Sequence, residues 1–195
     1  KKSNLVDIHI LILYTDRRYM TTKITTIKDL ITCLDQQPKI TSWSPRLAKQ
    51  IALSTEEIKN YTLFKKERYT RNLIYKNEHY EIMTLCWLPN QETAIHDHNK
   101  SEGWMTVIKG KVIETSYNFD LLNTPPLKKT TDILMSLGDS SYINDDIGCH
   151  SIKCNPNTPS ITLHLYTPPI VWCSVFDKKT TQMKKKMLSF DTPIR

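Results

Sequence analysis

Residues 79 to 98 read His79-Tyr80-Glu81-Ile82-Met83-Thr84-Leu85-Cys86-Trp87-Leu88-Pro89-Asn90-Gln91-Glu92-Thr93-Ala94-Ile95-His96-Asp97-His98. The first half alternates. Ile82, Thr84 and Cys86 fall on one side of an extended chain, and Met83, Leu85 and Trp87 on the other. Pro89-Asn90 is a turn pair. A second strand is predicted over Glu92 to His98. Strand parity puts His96 and His98 on one face and Asp97 on the opposite one. An imidazole from another strand would complete a three-nitrogen metal site with open coordination positions, and His150 is the candidate. The spacing alone does not separate this from two surface histidines beside a turn.

The same period extends both ways. Upstream, Tyr69-Thr70-Arg71-Asn72-Leu73-Ile74-Tyr75 is rich in aromatic and β-branched residues, and Lys76-Asn77-Glu78 turns it into a hairpin with the stretch above. Downstream, Trp104 to Ile108 and Val112 to Asn118 flank Gly110 and read as another hairpin. Leu121 to Lys129, with Pro125-Pro126, reads as a loop. Short strands and turns follow around Leu134, Leu137-Gly138-Asp139 and Ser141 to Ile143. Ser151 to Cys154 and Ile161 to Tyr166 read as a pair across Asn155-Pro156-Asn157. Many short strands without helices between them predict a mainly β chain, an antiparallel barrel or jelly roll.

Ahead of the strands the period changes. Ile27, Leu30, Ile31 and Leu34 mark an amphipathic helix, with Thr26 as N-cap, Asp29 as its partner and Pro38 as its end. A second helix is predicted over Pro45 to Leu53, capped by Ser44, and Ser54-Thr55-Glu56-Glu57 begins a short turn. The expected organisation is an N-terminal extension (1–19) and one domain (20–195). That domain divides into a helical cap (20–60), a β-barrel (61–177) and a basic C-terminal tail (178–195).

With 195 residues the chain fits one domain, and its 39% apolar content includes no run long enough to cross a bilayer. Leu5 to Tyr14 is a poor signal peptide because no small-residue cleavage site follows it. The net charge of +7 owes part of its excess to Lys178, Lys179, Lys184, Lys185 and Lys186. That run lacks interleaved aromatics and any zinc-finger spacing, so neither a nucleic-acid nor a membrane partner is expected. Five cysteines without a CxxC pair suggest neither a disulfide framework nor a structural zinc site. A cytoplasmic monomer is the expectation.

Four motifs, in order, carry a resemblance: Tyr69-Thr70-Arg71-Asn72; His96-Asp97-His98; Tyr142-Ile143-Asn144-Asp145-Asp146-Ile147-Gly148-Cys149-His150; and Leu163-His164-Leu165-Tyr166-Thr167-Pro168-Pro169. From about Tyr69 to Asp177 the sequence resembles the cysteine dioxygenases, thiol dioxygenases of the cupin superfamily. The resemblance implies a cupin β-barrel holding one Fe(II), which adds both atoms of O2 to the sulfur of L-cysteine to give cysteine sulfinate. It implies His96, His98 and His150 as iron ligands and Arg71, helped by Tyr69, as the clamp on the substrate carboxylate. It further implies Thr162, His164 and Tyr166 as a hydrogen-bonded relay, with threonine standing for the family's serine.

Many cupins add a glutamate ligand after the HxH pair. Here Gly103 holds that position and Glu102 precedes it, so Glu102 would ligate only through a β-bulge. Animal members carry at Gly103's place a cysteine crosslinked to the equivalent of Tyr166, and glycine cannot form that bond. Cys86, Cys149 and Cys173 are expected in the core, and His9 and His79 on the surface. Two other readings stay open: dioxygenation of another small thiol (3-mercaptopropionate or cysteamine), and a non-catalytic metal-binding cupin.

Overall fold

The computed structural model describes residues 23–36, 45–118 and 127–192. The first helix, α1 (Ile27–Asp35), starts as its sequence dictates: Thr26 is extended, and its hydroxyl accepts the Asp29 N–H at 3.1 Å. Leu30 and Leu34 are its buried stripe. The second helix, α2, is only Pro45–Ala48, shorter than predicted. Ile51 leaves the helical path to pair with Ile24, and Ala52 N–H donates to the Ile24 carbonyl. The expected Ser44 cap, the Leu121–Pro126 part of the expected loop and the 1–19 extension lie outside the described residues. Lys59–Tyr61 forms one 3-10 turn.

Ten strands follow: β1 (Thr70–Lys76), β2 (Glu81–Trp87), β3 (Glu102–Lys109), β4 (Lys111–Asn118), β5 (Lys128–Ser136), β6 (Ser140–Ile143), β7 (Cys149–Cys154), β8 (Ser160–Thr167), β9 (Trp172–Asp177) and β10 (Gln182–Met187). One antiparallel sheet runs β1-β2-β8-β3-β6, a second runs β5-β4-β7, and β10-β9 form a hairpin. His96 joins the last two. It bridges His150 of β7 on one side and Val175 of β9 on the other. The chain is therefore mainly β and antiparallel, as its period predicts.

The first sheet is buried on both faces. Ile82 and Cys86 of β2 and Ile161, Leu163 and Leu165 of β8 pack outward against Leu30, Leu34, Leu53 and Ile58 of the helical region. Met83, Leu85 and Trp87 pack inward against Val112, Ile152, Cys154 and Cys173 of the facing strands. All seven residues of β2 are buried. This two-sided cover explains a strand without a polar face.

Three expectations need correction. First, β3 and β4 are not a hairpin, because β3 pairs with β8 and β6 while β4 pairs with β5 and β7. Gly110, at φ +74, carries the chain from one sheet to the other, and a Cβ there would meet Ser160 Oγ at 2.4 Å and Pro159 O at 2.6 Å. Ser160 fastens the crossing by accepting the Lys111 N–H and donating to the Lys111 carbonyl. Second, β7 and β8 do not pair across Asn155-Pro156-Asn157; they too belong to different sheets. Third, the basic stretch from 178 includes a strand, since β10 pairs with β9 along its whole length. Its other edge is unpaired among the described residues, and lysines are common on such edges because charge blunts further pairing. Beyond β10, Leu188 and Phe190 pack against the inner core. Asp191 takes hydrogen bonds from Lys65, Arg68 and the Arg71 N–H.

Candidate metal centre and cavity

The predicted strand from Glu92 to His98 is not regular. It touches β7 at two points, Glu92–Lys153 and His96–His150, and β9 at one. Its pairing is partly taken over by side chains. Thr93 N–H donates to the Ile152 carbonyl, while Ile152 N–H finds the Thr93 hydroxyl instead of a carbonyl. The HxH pair still keeps strand parity. His96 exchanges N–H and carbonyl with His150, while Asp97 N–H donates to the Ser174 carbonyl on the other side. The Asp97 carboxylate accepts the Ser174 N–H at 2.7 Å. Past His98 the backbone enters the left-handed region at Asn99 and Lys100. Asp145 closes that turn, accepting the His98 and Lys100 N–H groups at 2.7 and 2.6 Å.

This scaffold brings His96, His98 and His150 together. One ring nitrogen from each lies within 4.8 Å of the others. His96 Nδ1 faces the Ala94 carbonyl at 2.9 Å, and His150 Nδ1 faces Glu114 Oε1 at 2.6 Å. Both acceptors require a proton on Nδ1, which leaves Nε2 with its lone pair. Burial, then the neighbouring His150, holds the His96 imidazole down at about 3. The same two causes hold His98 well below the ordinary histidine range. Converging imidazoles are the donor set that a divalent transition metal takes, so these residues fit a metal. Glu102 is not among them. It lies on the far side of β3 from Gly103, the face whose Trp104 pairs with Tyr142.

Thr162, His164 and Tyr166 alternate on β8 and share its inner face. Thr162 Oγ1 lies 2.8 Å from His164 Nε2, and His164 Nδ1 lies 3.2 Å from the Tyr166 hydroxyl. Trp87 Nε1 donates to Thr162 Oγ1 at 2.9 Å, because an indole nitrogen can only donate. In the Nδ1–H tautomer of His164, the Thr162 hydroxyl donates its own proton to Nε2. His164 then carries its proton on Nδ1 and donates it to the Tyr166 oxygen. The Tyr166 O–H proton is left free to donate elsewhere. Burial pushes the Tyr166 phenol up to about 12 against the lowering influence of Arg71, so it stays protonated at neutral pH.

Arg71, Tyr69, His96, His98, His164 and Tyr166 line one cavity. Arg71 is 8% exposed, and its Nε and Nη2 groups have no hydrogen-bond partner among the described residues. Its guanidinium carbon lies 5.8 Å from the centres of both the Tyr166 and Phe190 rings. Glu81 Oε1 is 3.7 Å from Nη2, too far for a good hydrogen bond, and Lys76 holds the other Glu81 oxygen at 3.0 Å. Tyr69 stacks on Trp87 with ring centres 4.6 Å apart. A Cβ on Gly103 would lie 3.2 Å from both His98 Cδ2 and Tyr166 Cε1.

The cysteine dioxygenase type I family model matches residues 21–179. This chain belongs to the cysteine dioxygenase type I family. Cysteine dioxygenase type 1 of Bos taurus and that of Homo sapiens are each 33% identical to it over 132 residues, 67% of this chain and 66% of theirs. The Danio rerio relative is 29% identical over 182 residues, 85% of this chain and 86% of that one. The chain thus spans slightly under two thirds of the mammalian relatives it matches. Among solved structures, TT1209 from Thermus thermophilus aligns at TM-score 0.46 with 16% identity, over 57% of this chain and 94% of that one. A double-stranded β-helix domain protein from Klebsiella pneumoniae aligns at 0.48 with 17% identity, over 57% and 86%.

Family motifs account for the histidines, Arg71, Tyr69 and the β8 triplet as candidates. They gave no reason to look at Glu114 or Trp87, and assigned no role to Asp97 or Asp145 although both lie within them. Each of these is an ordinary polar or aromatic residue in sequence, and its partners lie at least 45 residues away for Trp87, Asp97 and Asp145 and 36 for Glu114. Cys86, Cys149 and Cys173 are buried thiols, as expected, and Cys173 also lines the cavity. His79 is exposed and His9 lies outside the described residues. No described helix is long and apolar enough to cross a membrane.

Proposed function

We propose that this chain is an Fe(II)-dependent dioxygenase of L-cysteine, adding both atoms of O2 to the thiol sulfur to give cysteine sulfinate. The observation that carries the reading is one cavity lined by two imidazoles of the three-histidine cluster and by a buried arginine with two donors that nothing among the described residues accepts. Buried guanidinium N–H groups without an acceptor are costly unless a ligand supplies one. A substrate carboxylate fits that demand, because it accepts two parallel N–H groups.

His96, His98 and His150 would hold the iron through neutral nitrogens. Bound iron would supply the redox chemistry and the positive charge that favours a thiolate over a thiol. Arg71 would fix the carboxylate end and so set where the sulfur lies, a positioning effect. Tyr69 would wall the cavity beside it. Tyr166 would donate its O–H to charge developing on the reacting oxygen or sulfur. Thr162 and His164 would keep that proton pointing outward by occupying the phenol's acceptor side.

The test is oxygen uptake by iron-loaded protein given a panel of thiols, with product identified by mass. Stoichiometric cysteine sulfinate from L-cysteine supports the reading. Oxidation of 3-mercaptopropionate in preference to L-cysteine would move the substrate to another carboxylate-bearing thiol. Cysteamine lacks the carboxylate and would leave Arg71 unmatched, so a cysteamine preference, or no sulfinate from any thiol, overturns it.

A further inference from the structure

The lysine row on β10 divides into three different settings. Lys184 Nζ pairs with Asp177 at 2.5 Å, and Lys185 Nζ sits 4.4 Å from the centre of the Trp172 ring. Lys186 has neither kind of partner among the described residues. It lines the cavity that holds Arg71 and His96. Its cross-strand neighbour is Cys173, and Leu188, two residues on, shares its face; both line the same cavity. Lys186 is exposed and Leu188 half-buried, so the lysine stands at the mouth and the leucine deeper. Asp97, the carboxylate nearby in the fold, is engaged with Ser174 and makes no ion pair with Lys186.

We propose that Lys186 is a specificity-determining cation at the mouth of the cavity, favouring thiols that carry net negative charge over neutral or cationic ones. The proposal rests on the thiol-oxidation reading above for its substrate class. Arg71, deeper and buried, grips one carboxylate. Lys186 adds a longer-range attraction to any anion entering beside it and a repulsion to an entering ammonium. A unit charge acting across several ångströms near a protein surface changes affinity by about three- to tenfold. An exposed charge is also screened, since the Debye length is about 10 Å in 0.1 M salt. A packing role for the lysine stem would show no such dependence.

The probes are 3-mercaptopropionate, which has a carboxylate and no ammonium, and cysteamine, which has an ammonium and no carboxylate. Their dissociation constants are measured by titration calorimetry without oxygen on the full chain loaded with zinc, at about 20 and about 500 mM salt. KM and kcat for L-cysteine are measured on the iron-loaded protein. At low salt, Lys186→Met should weaken 3-mercaptopropionate about three- to tenfold and leave cysteamine unchanged or tighter. High salt should erase most of the difference, Lys186→Arg should restore it, and KM and kcat for L-cysteine, which enters as a net-neutral zwitterion, should change little. Equal weakening of both thiols, a loss that survives high salt, or no change in binding overturns the proposal. If the wild-type protein oxidises no thiol, the function reading fails while the calorimetric comparison still decides the role of Lys186.

Discussion

Glu114 Oε1 lies 2.6 Å from His150 Nδ1, and both side chains are buried. The two stand diagonally across β4 and β7, because Glu114 pairs with Ile152 and Ser116 with His150. A carboxylate behind a metal-facing imidazole fixes its tautomer and raises its basicity, and removing one costs about 10–100-fold in metal affinity. Glu114→Gln should therefore lower iron and zinc affinity by that order. A competitive chelator titration measures it, and unchanged affinity would make the pair purely structural.

Arg71 offers two donors that nothing among the described residues accepts. Replacing it with glutamine removes a charge-assisted interaction of roughly 1.5–3 kcal/mol, about 10–100-fold in binding. Arg71→Gln should weaken L-cysteine and 3-mercaptopropionate, which share the carboxylate, by that factor, and cysteamine, which lacks it, far less. Anaerobic titration of the three thiols reads this directly, and equal weakening of cysteamine would remove Arg71 from the clamp.

Thr162 links Trp87 to His164 through one oxygen, accepting from the first and hydrogen-bonded to the second. Thr162→Val keeps the shape but leaves an indole N–H and an imidazole nitrogen buried without partners. Each such group costs about 1–3 kcal/mol. The variant should melt several degrees lower and lose kcat about tenfold or more, as the phenol proton of Tyr166 loses its direction. Thr162→Ser restores the hydroxyl and should keep most of both. Melting curves beside kcat for the two variants distinguish loss of the relay from loss of packing.

The parts of this site that were legible in sequence are those set by local period. The parity of His96 and His98, and of Thr162, His164 and Tyr166, is a property of one extended chain and needs no knowledge of neighbours. The pairing of strands is not local. Gly110 looked like a hairpin turn, yet Ser160, fifty residues on, redirects the chain into the other sheet. Glu114 and Trp87 fell silent for the same reason, since their meaning lies in what they face. Lys186 was hidden by its neighbours, because a run of lysines reads as a solvated tail unless the register of β10 against β9 is known.

Asp191 fastens the end of the chain to β1. Burial raises its carboxyl, but hydrogen bonds from Arg68, Lys65 and the Arg71 N–H more than offset this and hold it at about 2. Its folded value is thus below the ordinary aspartate value near 3.9. Its contribution, at most about 2 kcal/mol, is fully present above about pH 4 and is lost as pH falls through about 2. Asp191→Asn should lower stability at neutral pH and flatten the acid limb over that window. Urea melts between about pH 2 and 7 test it, and parallel curves for variant and wild type would contradict it.

Gly103 separates two rings that the site needs apart. A Cβ there would meet His98 Cδ2 and Tyr166 Cε1, each at 3.2 Å, and Ile143 Cγ2 at 3.4 Å. These contacts are tight, so a methyl group forces His98 or Tyr166 to give by a few tenths of an ångström. Overpacking of this kind costs about 1–3 kcal/mol. The strand backbone itself tolerates alanine, since Gly103 is not among the positive-φ glycines. Gly103→Ala should therefore fold, melt several degrees lower and lose kcat about tenfold, because the displaced ring is either a candidate metal ligand or the end of the relay. Metal affinity separates the two. A fall in affinity marks His98 as the ring that moved, while unchanged affinity with reduced kcat marks Tyr166. Wild-type melting and wild-type kcat together would show that the rings leave more room than their positions indicate.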